Sequence, residues 1–383
     1  MPIFRSKIIY FLFNAGLACL VPFMSLYYRE RGMTGIQIGM LSGIIPLTTW
    51  LSAPLWGGLA DARARHRAIL LLTNIGLWLA VAALAFATTF PALLIAVVVY
   101  AIFIGPIMPM FDNVVIALLG EEKANYGNVR VWGAIGWGTA ALLIGPALER
   151  AGLHWAFYGF LFFMTLNFIV LVKLPMKTVV RASHTYLAGL SILLRNGRFL
   201  LLLLVALVYG LTHGILYSYQ FLYLEEMGAS RTLMALSLTV ATVSEAPFWF
   251  ISAWMLRRFG TNWMIVLALL TTILRNLGLS AIGVPWLVLP LSLLHGPSFA
   301  VLSAAGVADA DAAAPPGLGA TAQGLFSGTT FGLGSALGGF VGGPAYVAFG
   351  FARLFSALGW LTFATLLVFI ALRLVLRNPR YAS

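Results

Sequence analysis

The sequence predicts an all-α membrane protein with twelve transmembrane helices arranged as two six-helix bundles. Two observations support this prediction. Of the 383 residues, 61% are hydrophobic and only 9% are charged, whereas soluble domains carry about 25% charged residues. The chain also contains twelve windows of about 20 mostly apolar residues, the length a helix needs to cross a hydrocarbon core about 30 Å thick.

The twelve spans follow one another with short connections. The first apolar stretch follows Arg5 and Lys7 and has no small-residue cleavage site, so we expect it to remain as the first helix. The spans are predicted at 7–28, 36–60, 68–88, 92–118, 131–149, 155–174, 199–224, 232–256, 262–282, 285–307, 319–347 and 352–376.

The positions of the 23 lysine and arginine residues indicate which side of the membrane each connection faces. Arg130 and Arg275 fall within or at the edge of spans. With the N-terminus inside, sixteen of the others lie inside and five lie outside: Arg29, Arg31, Arg150, Arg231 and Arg353. This excess predicts a multi-pass protein of the cell (inner) membrane with both termini in the cytoplasm. Topology therefore accounts for the net charge of +12, and no nucleic-acid partner is expected.

The chain divides near its middle at a basic, polar segment, PMKTVVRASHTYLAGLSILLRNGR. We predict an N-terminal six-helix bundle at 1–175, a cytoplasmic central loop at 176–198 and a C-terminal six-helix bundle at 199–383. This layout is typical of transporters whose halves rock about a site at the bilayer midplane. The single cysteine, Cys19, excludes an intramolecular disulfide.

Glycines recur at four-residue spacing in the second span and in the eleventh, which carries Gly324, Gly328 and Gly332 followed by Gly334 and Gly338. Such stripes let two helix backbones approach closely. They fit tight static packing and a sliding contact equally well.

The segment PLWGGLADARARHR, at the end of the second span, resembles the Gly-x-x-x-Asp motif of the major facilitator superfamily. Gly57 and Asp61 match the motif, and the basic cluster that follows consists of Arg63, Arg65 and Arg67. Ala62 and Ala64 depart from it. The resemblance implies conformational gating by these five residues, because Asp61 can pair with a basic group or a helix N-terminus and hold one conformation closed. The alternative is a basic cluster that only sets topology.

The segment NYGNVRVWGAIGWG resembles the fifth helix of the lactose permease, phenylpropionate permease and nucleoside–proton symporter branch of that superfamily. There an arginine stands seven residues before a tryptophan and partners an acid eighteen residues earlier. Carried over, Arg130 pairs with Asp112, both bind substrate oxygens, and Trp137 offers a flat apolar face. The alternative is an ion pair that only joins two helices, since a lone charge in a membrane helix costs several kcal/mol.

The C-terminal half carries an acid, an arginine and a histidine within its spans: Glu245, Arg275 and His295. Arg275 and His295 are twenty residues apart, as in lactose permease, and Glu245 lies within one turn of the position of its glutamate. The resemblance implies a proton relay in which Arg275 keeps Glu245 ionised until a proton arrives. One departure is Ser298, which stands where lactose permease has an acid, so Glu245 is the expected proton carrier and Asp112 the second candidate.

Three further polar residues within spans are candidate substrate contacts: His213 and Gln220 on roughly one face of the seventh span, and Asn14 on the first. A buried histidine satisfied by a neighbouring helix is an equally good explanation of His213.

The sequence lacks the motifs of enzymes and metal sites: no glycine-rich phosphate loop, no paired cysteines, no His-Glu-x-x-His and no Gly-x-Ser-x-Gly. We therefore expect no enzyme activity, no cofactor and no metal. The favoured function is a monomeric, proton-coupled symporter of a small polar organic solute, namely a sugar, nucleoside or aromatic acid, working by alternating access in the lipid bilayer. Alternatives are a proton-driven antiporter that exports drugs or metabolites, suggested by Gly145-Pro146, and a transport-dead receptor or scaffold.

Overall fold

A computed structural model describes residues 2–63, 65–120, 126–174, 191–315 and 318–376. Within these ranges every regular element is helical, which confirms the predicted all-α fold. Ten helical stretches there are long and apolar enough to cross a membrane. One of them holds two predicted spans, and the eleventh predicted span is divided into three helical segments, so the described residues account for all twelve spans.

The first six helices agree with the predicted spans to within a few residues. α1 contains a short 3-10 turn at Val21–Phe23, and α4 contains a turn at Gly105 and Pro106. Their bounds are α1 Ile3–Glu30, α2 Gly35–Arg63, α3 His66–Phe86, α4 Phe90–Leu119, α5 Tyr126–Ala151 and α6 His154–Val172.

The seventh helix, α7, is Gly197–Glu226, and the next helical stretch, Arg231–Ala281, is 51 residues long. At 1.5 Å per residue it would be more than twice as long as a bilayer core is thick. It bends at Gly260, whose φ of 73° lies in the left-handed region that glycine tolerates best. We therefore treat 231–259 as α8 and 261–281 as α9.

The last three helices are α10 Pro285–Ala313, α11 at 319–349 and α12 Phe351–Leu376. α10 is interrupted by a turn at Leu293 and Leu294, so His295 begins its longer segment. The predicted span 285–307, read as one continuous helix, would instead place His295 near the middle. α11 contains a π-helical stretch, Gly328–Gly334.

Contacts divide the chain into two compact units. Unit 1 comprises Met1–Ala182 and Tyr217–Thr239, and unit 2 comprises Ser183–Leu216 and Val240–Ser383. The end of α7 and the start of α8 thus group with the first six helices. Of the predicted central loop, 176–190 lies outside the described residues, and the predicted domain boundaries stay a prediction.

In unit 1, ion pairs tie the connection between α7 and α8 to the ends of α1 and α5. Arg231 contacts Glu30 at 2.6 Å, and its backbone N–H donates to Glu149 at 2.5 Å. Arg29 contacts both Glu225 and Glu226, at 3.3 and 3.1 Å. These contacts fix the position of residues 225–231 within this unit.

In unit 2, α7 and α11 pack backbone against backbone. A Cβ built on Gly210 would lie 2.1 Å from the carbonyl oxygen of Thr330, and one on Gly338 would lie 2.4 Å from that of Leu211. The glycine stripe of α11 is therefore used in part for close packing on α7. Gly324, at the start of the stripe, has open space beside it.

Candidate functional site

Unit 1 contains a polar cluster built on Asp112 of α4 and Arg130 of α5. Arg130 Nη1 lies 3.3 Å from Asp112 Oδ2, and these two residues are the pair that the resemblance of the fifth helix implied. The side chain of Arg130 is 53% exposed and that of Asp112 is 23% exposed. The pair is thus partly accessible.

Two tyrosines complete this cluster. The hydroxyl of Tyr10 in α1 donates to Asp112 Oδ1, and Arg130 Nη1 donates to the hydroxyl of Tyr126 at 2.8 Å. Asp112 therefore receives a donor on each of its two oxygens. Within the described residues the contacts of the guanidinium with Asp112 and with the Tyr126 hydroxyl both use Nη1, and the guanidinium carbon lies 5.9 Å from the centroid of the Tyr126 ring. The N–H groups of Nη2 and Nε can therefore donate to a ligand.

The remaining candidates in unit 1 lie on the same helices. Asn14, one turn after Tyr10 in α1, donates to the carbonyl oxygen of Tyr10 at 2.9 Å and lies opposite Gly133 of α5. Trp137 is half-buried and stands seven residues after Arg130, which places both residues on one face of α5. The predicted substrate contacts Asn14, Asp112, Arg130 and Trp137 therefore come from three neighbouring helices.

Unit 2 contains an acid–histidine–arginine chain that joins three helices. His295 Nε2 of α10 lies 3.2 Å from Glu245 Oε1 of α8, and His295 Nδ1 lies 2.9 Å from Arg275 Nη1 of α9. Arginine can only donate, so Nδ1 accepts, and the N–H of a neutral imidazole is then on Nε2 and points at Glu245. The structure places His295 between Arg275 and Glu245, whereas the sequence suggested that Arg275 acts on Glu245 directly.

A close approach between α8 and α10 sets the geometry of this chain. A Cβ on Gly296 would lie 2.0 Å from the carbonyl oxygen of Ser244, and the N–H of Gly296 donates to Ser244 Oγ at 2.9 Å. Because Ser244 and Gly296 adjoin Glu245 and His295, this contact brings the acid and the imidazole together. Ser298 donates to the carbonyl oxygen of His295 at 2.9 Å, within the first turn of the longer segment of α10.

Aromatic rings surround the imidazole of His295. His213 of α7 stacks on Tyr209 and on Phe299, at 6.1 and 6.0 Å between ring centroids, and its ring lies 6.3 Å from that of His295. Phe331, in the π-helical part of α11, meets His213 edge-on at 6.1 Å. His213 is therefore part of an aromatic cluster in unit 2 and lies beside the proton-relay candidates.

The other predicted residues are Gln220 and the five residues of the gating motif. Gln220 is buried in unit 1, seven residues beyond His213 along α7. In the gating motif, Gly57 has open space beside it, and Arg63 and Arg65 are exposed. Arg67 donates to the carbonyl oxygen of Val172 at 2.6 Å. The side chain of Asp61 lies outside the described residues, so its gating role stays a prediction.

Sequence reasoning missed several residues that contact the candidates. Tyr126 stands four residues before Arg130, and Trp249, which donates to Glu245 Oε2 at 3.4 Å, stands four residues after Glu245. This i, i+4 spacing was a readable signal. Tyr10 gave no such signal, because it is 102 residues from Asp112.

A second charged cluster of unit 2 was also missed. Asp309 of α10 is fully buried and contacts Arg198 of α7, Arg373 of α12 and Thr261 of α9. It joins the ends of four helices, and we assign it a structural role. Among the residues that the structure describes, no three His, Cys, Asp or Glu side chains are grouped so as to hold a metal ion.

Comparison with known proteins gives consistent results. A family model described as "MFS_1 like family" matches residues 3–357. The maltose permease of Geobacillus stearothermophilus is 27% identical over 338 residues, which cover 87% of this chain and 85% of that protein. A probable 3-phenylpropionic acid transporter of Escherichia coli is 24% identical over 306 residues, which cover 76% of this chain and 78% of that protein. The crystal structure of the nucleoside transporter NupG superposes with a TM-score of 0.86 at 17% identity, covering 97% of this chain and 99% of that one.

Proposed function

The chain belongs to the MFS_1 like family of membrane transporters, and from that premise we propose that it is a proton-coupled symporter of a small polar organic solute. The solute is a sugar, a nucleoside or an aromatic acid. Transport proceeds by alternating access, driven by the proton gradient across the cell membrane. The relatives named for maltose and 3-phenylpropionic acid support this range of substrates but do not select among them.

The observation that carries the proposal is the chain from Glu245 through His295 to Arg275. Ionisable groups inside membrane helices are costly and mark ion or substrate pathways by default. Glu245 is partly accessible, and its carboxylate faces a neutral N–H donor, not an arginine. It can therefore take up a proton without breaking a direct ion pair, which suits a reversible proton carrier.

Asp112 suits that role less well. Unlike Glu245, it forms a direct ion pair with an arginine, and protonation would remove the charge that holds Arg130 and would weaken the bond from Tyr10. We propose that Asp112 positions Arg130 and that the Nη2 and Nε groups of Arg130 donate to substrate oxygens. We also propose that the indole of Trp137 stacks on a ring of the substrate. His213, Gln220 and Asn14 stay proposed contacts of the same solute.

The proposal is tested in right-side-out proteoliposomes with maltose, 3-phenylpropionate and uridine as probes. Alkalinisation of the outer medium on addition of one probe is the expected result. The Glu245→Gln protein is expected to bind the same probe, measured as a rise in its melting temperature. Liposomes that contain this variant are expected to give no pH change when the probe is added. Substrate uptake without proton movement in the wild-type protein would refute proton coupling.

A proton-driven antiporter is the second candidate. Pro146 lies inside α5, and a Cβ on the preceding Gly145 would lie 2.6 Å from the Cβ of Ala235 in α8, so the Gly145-Pro146 pair lies at a close helix contact within unit 1. The same assay separates the two functions. An antiporter that carries the added probe inward moves protons out of the liposome, so the outer medium becomes more acidic.

We also propose that both termini face the cytoplasm and that the protein works as a monomer. Support for the orientation is the excess of sixteen inside over five outside basic residues. A reporter fused to the C-terminus that is active only in the cytoplasm tests the orientation. Light scattering of the purified protein in detergent tests the oligomeric state.

A further inference from the structure

Trp249 is the second hydrogen-bond donor to the Glu245 carboxylate. Its indole Nε1 lies 3.4 Å from Glu245 Oε2, while His295 Nε2 faces the other oxygen, Oε1. The two residues are four apart in α8 and so lie on one face of the helix. Trp249 as a whole residue is 45% exposed, and its ring meets that of Phe299 edge-on at 6.4 Å between centroids.

A donor aimed at a carboxylate favours the ionised form of that carboxylate. Among the described residues, the titratable or charged groups that surround Glu245 are His295 from α10, Arg275 from α9 through His295, and His213 and Tyr209 from α7. Trp249 differs from all of them because it donates a hydrogen bond but cannot exchange the proton or carry a charge. Its contribution therefore depends only on the state of Glu245.

We propose that Trp249 is a positioning residue of the proton step: its indole N–H holds the ionised Glu245 and releases it when the acid is protonated. This inference rests on the proposed role of Glu245 as proton carrier. A neutral carboxylic acid is a much weaker acceptor than a carboxylate, so protonation weakens the bond to the indole. Because the indole ring also contacts Phe299, its release changes the aromatic wall beside His213.

The test needs no substrate. Infrared titration of the purified protein follows the carbonyl stretch of protonated carboxyl groups, and the part of this band that Glu245→Gln removes belongs to Glu245. Trp249→Phe keeps an aromatic ring but removes the donor, and we expect the midpoint of the Glu245 titration to move by about 1 pH unit to higher pH. Trp249→Gln restores an N–H donor without the ring and is expected to titrate close to the wild type.

Trp254→Phe is the matched control, since Trp254 lies on the same helix, is exposed and contacts Phe259. Size-exclusion profiles and melting temperatures verify that each variant is folded. A Phe variant with the wild-type midpoint, or a Gln variant that shifts as far as the Phe variant, overturns the role of Trp249. If Glu245→Gln removes no part of the titrating band, the assignment of Glu245 as proton carrier fails instead, and the two failures are distinguishable.

Discussion

His295 stands between Arg275 and Glu245, and only one of its ring nitrogens can donate. Nδ1 lies 2.9 Å from the guanidinium of Arg275, and Nε2 lies 3.2 Å from the carboxylate of Glu245. A doubly protonated imidazole would direct an N–H at the N–H of the guanidinium. The chain is therefore satisfied by a neutral imidazole, and protonation of Glu245 leaves the contact between Arg275 and His295 intact.

Replacing His295 by glutamine is expected to preserve the chain. The amide oxygen of glutamine can accept from Arg275 while its NH₂ donates to Glu245, as the neutral imidazole does. We expect His295→Gln to keep proton-coupled uptake of the probe identified in proteoliposomes at a reduced rate, and His295→Ala to lose it. Loss of coupling in both variants, with both folded, would mean that the imidazole itself must take up a proton.

Replacing Arg130 by lysine tests the substrate site in unit 1. Lysine keeps the positive charge beside Asp112 but lacks the planar guanidinium edge formed by Nη2 and Nε. We expect an unchanged melting temperature without ligand and about 10-fold to 100-fold weaker binding of the probe, corresponding to the loss of one charge-assisted hydrogen bond. Binding is measured as the ligand-dependent rise in melting temperature.

Arg150→Lys is the matched control, because Arg150 lies at the exposed end of the same helix. Equal binding by the two lysine variants and the wild type would leave the Asp112–Arg130 pair with a purely structural role.

The length of the apolar windows was sufficient to predict the helices, and the resemblance to lactose permease indicated which charges could meet. Asp112 and Arg130 were paired by the resemblance to lactose permease, and the cost of an isolated charge in a membrane helix supported that pairing. The order in which Arg275, His295 and Glu245 contact one another could not be predicted. Helical periodicity gives the face on which a residue lies, but not its rotamer or which ring nitrogen of a histidine meets which partner. Asp309 was missed because its partners Arg198 and Arg373 lie 111 and 64 residues away in the chain.

The turn before His295 was also beyond prediction. Its residues, Leu293 and Leu294, are apolar and fit a continuous helix. Pro290 and Pro297 on either side lack backbone N–H donors and so weaken the helical ladder around the turn. The sequence marks a weak point there but does not say where the chain turns.

Replacing Gly296 by alanine is expected to separate Glu245 from His295. The added Cβ would lie 2.0 Å from the carbonyl oxygen of Ser244, so α8 and α10 must move apart. We expect a stability loss of about 1–3 kcal/mol and an altered Glu245 titration in the infrared band. Gly324→Ala, in a helix position with open space, is the control. A Gly296→Ala protein with both properties of the wild type would contradict the close approach.

Replacing Asp309 by asparagine is expected to destabilise unit 2 and not the substrate site. The fully buried carboxylate compensates Arg198 and Arg373, and a neutral amide of the same size leaves a buried positive charge without a counter-charge. Breaking a buried pair in this way costs about 3–5 kcal/mol, and since Arg198 is 42% exposed we expect a value near the lower end, about 3 kcal/mol. The measurement is thermal unfolding in detergent, with Asp311→Asn as control, because Asp311 is exposed and contacts Gln323 at 3.2 Å. Equal melting temperatures for the two variants would show that the pairing of Asp309 with the two arginines contributes no net stability. Solvation of Arg198 and Arg373 would then replace the lost counter-charge.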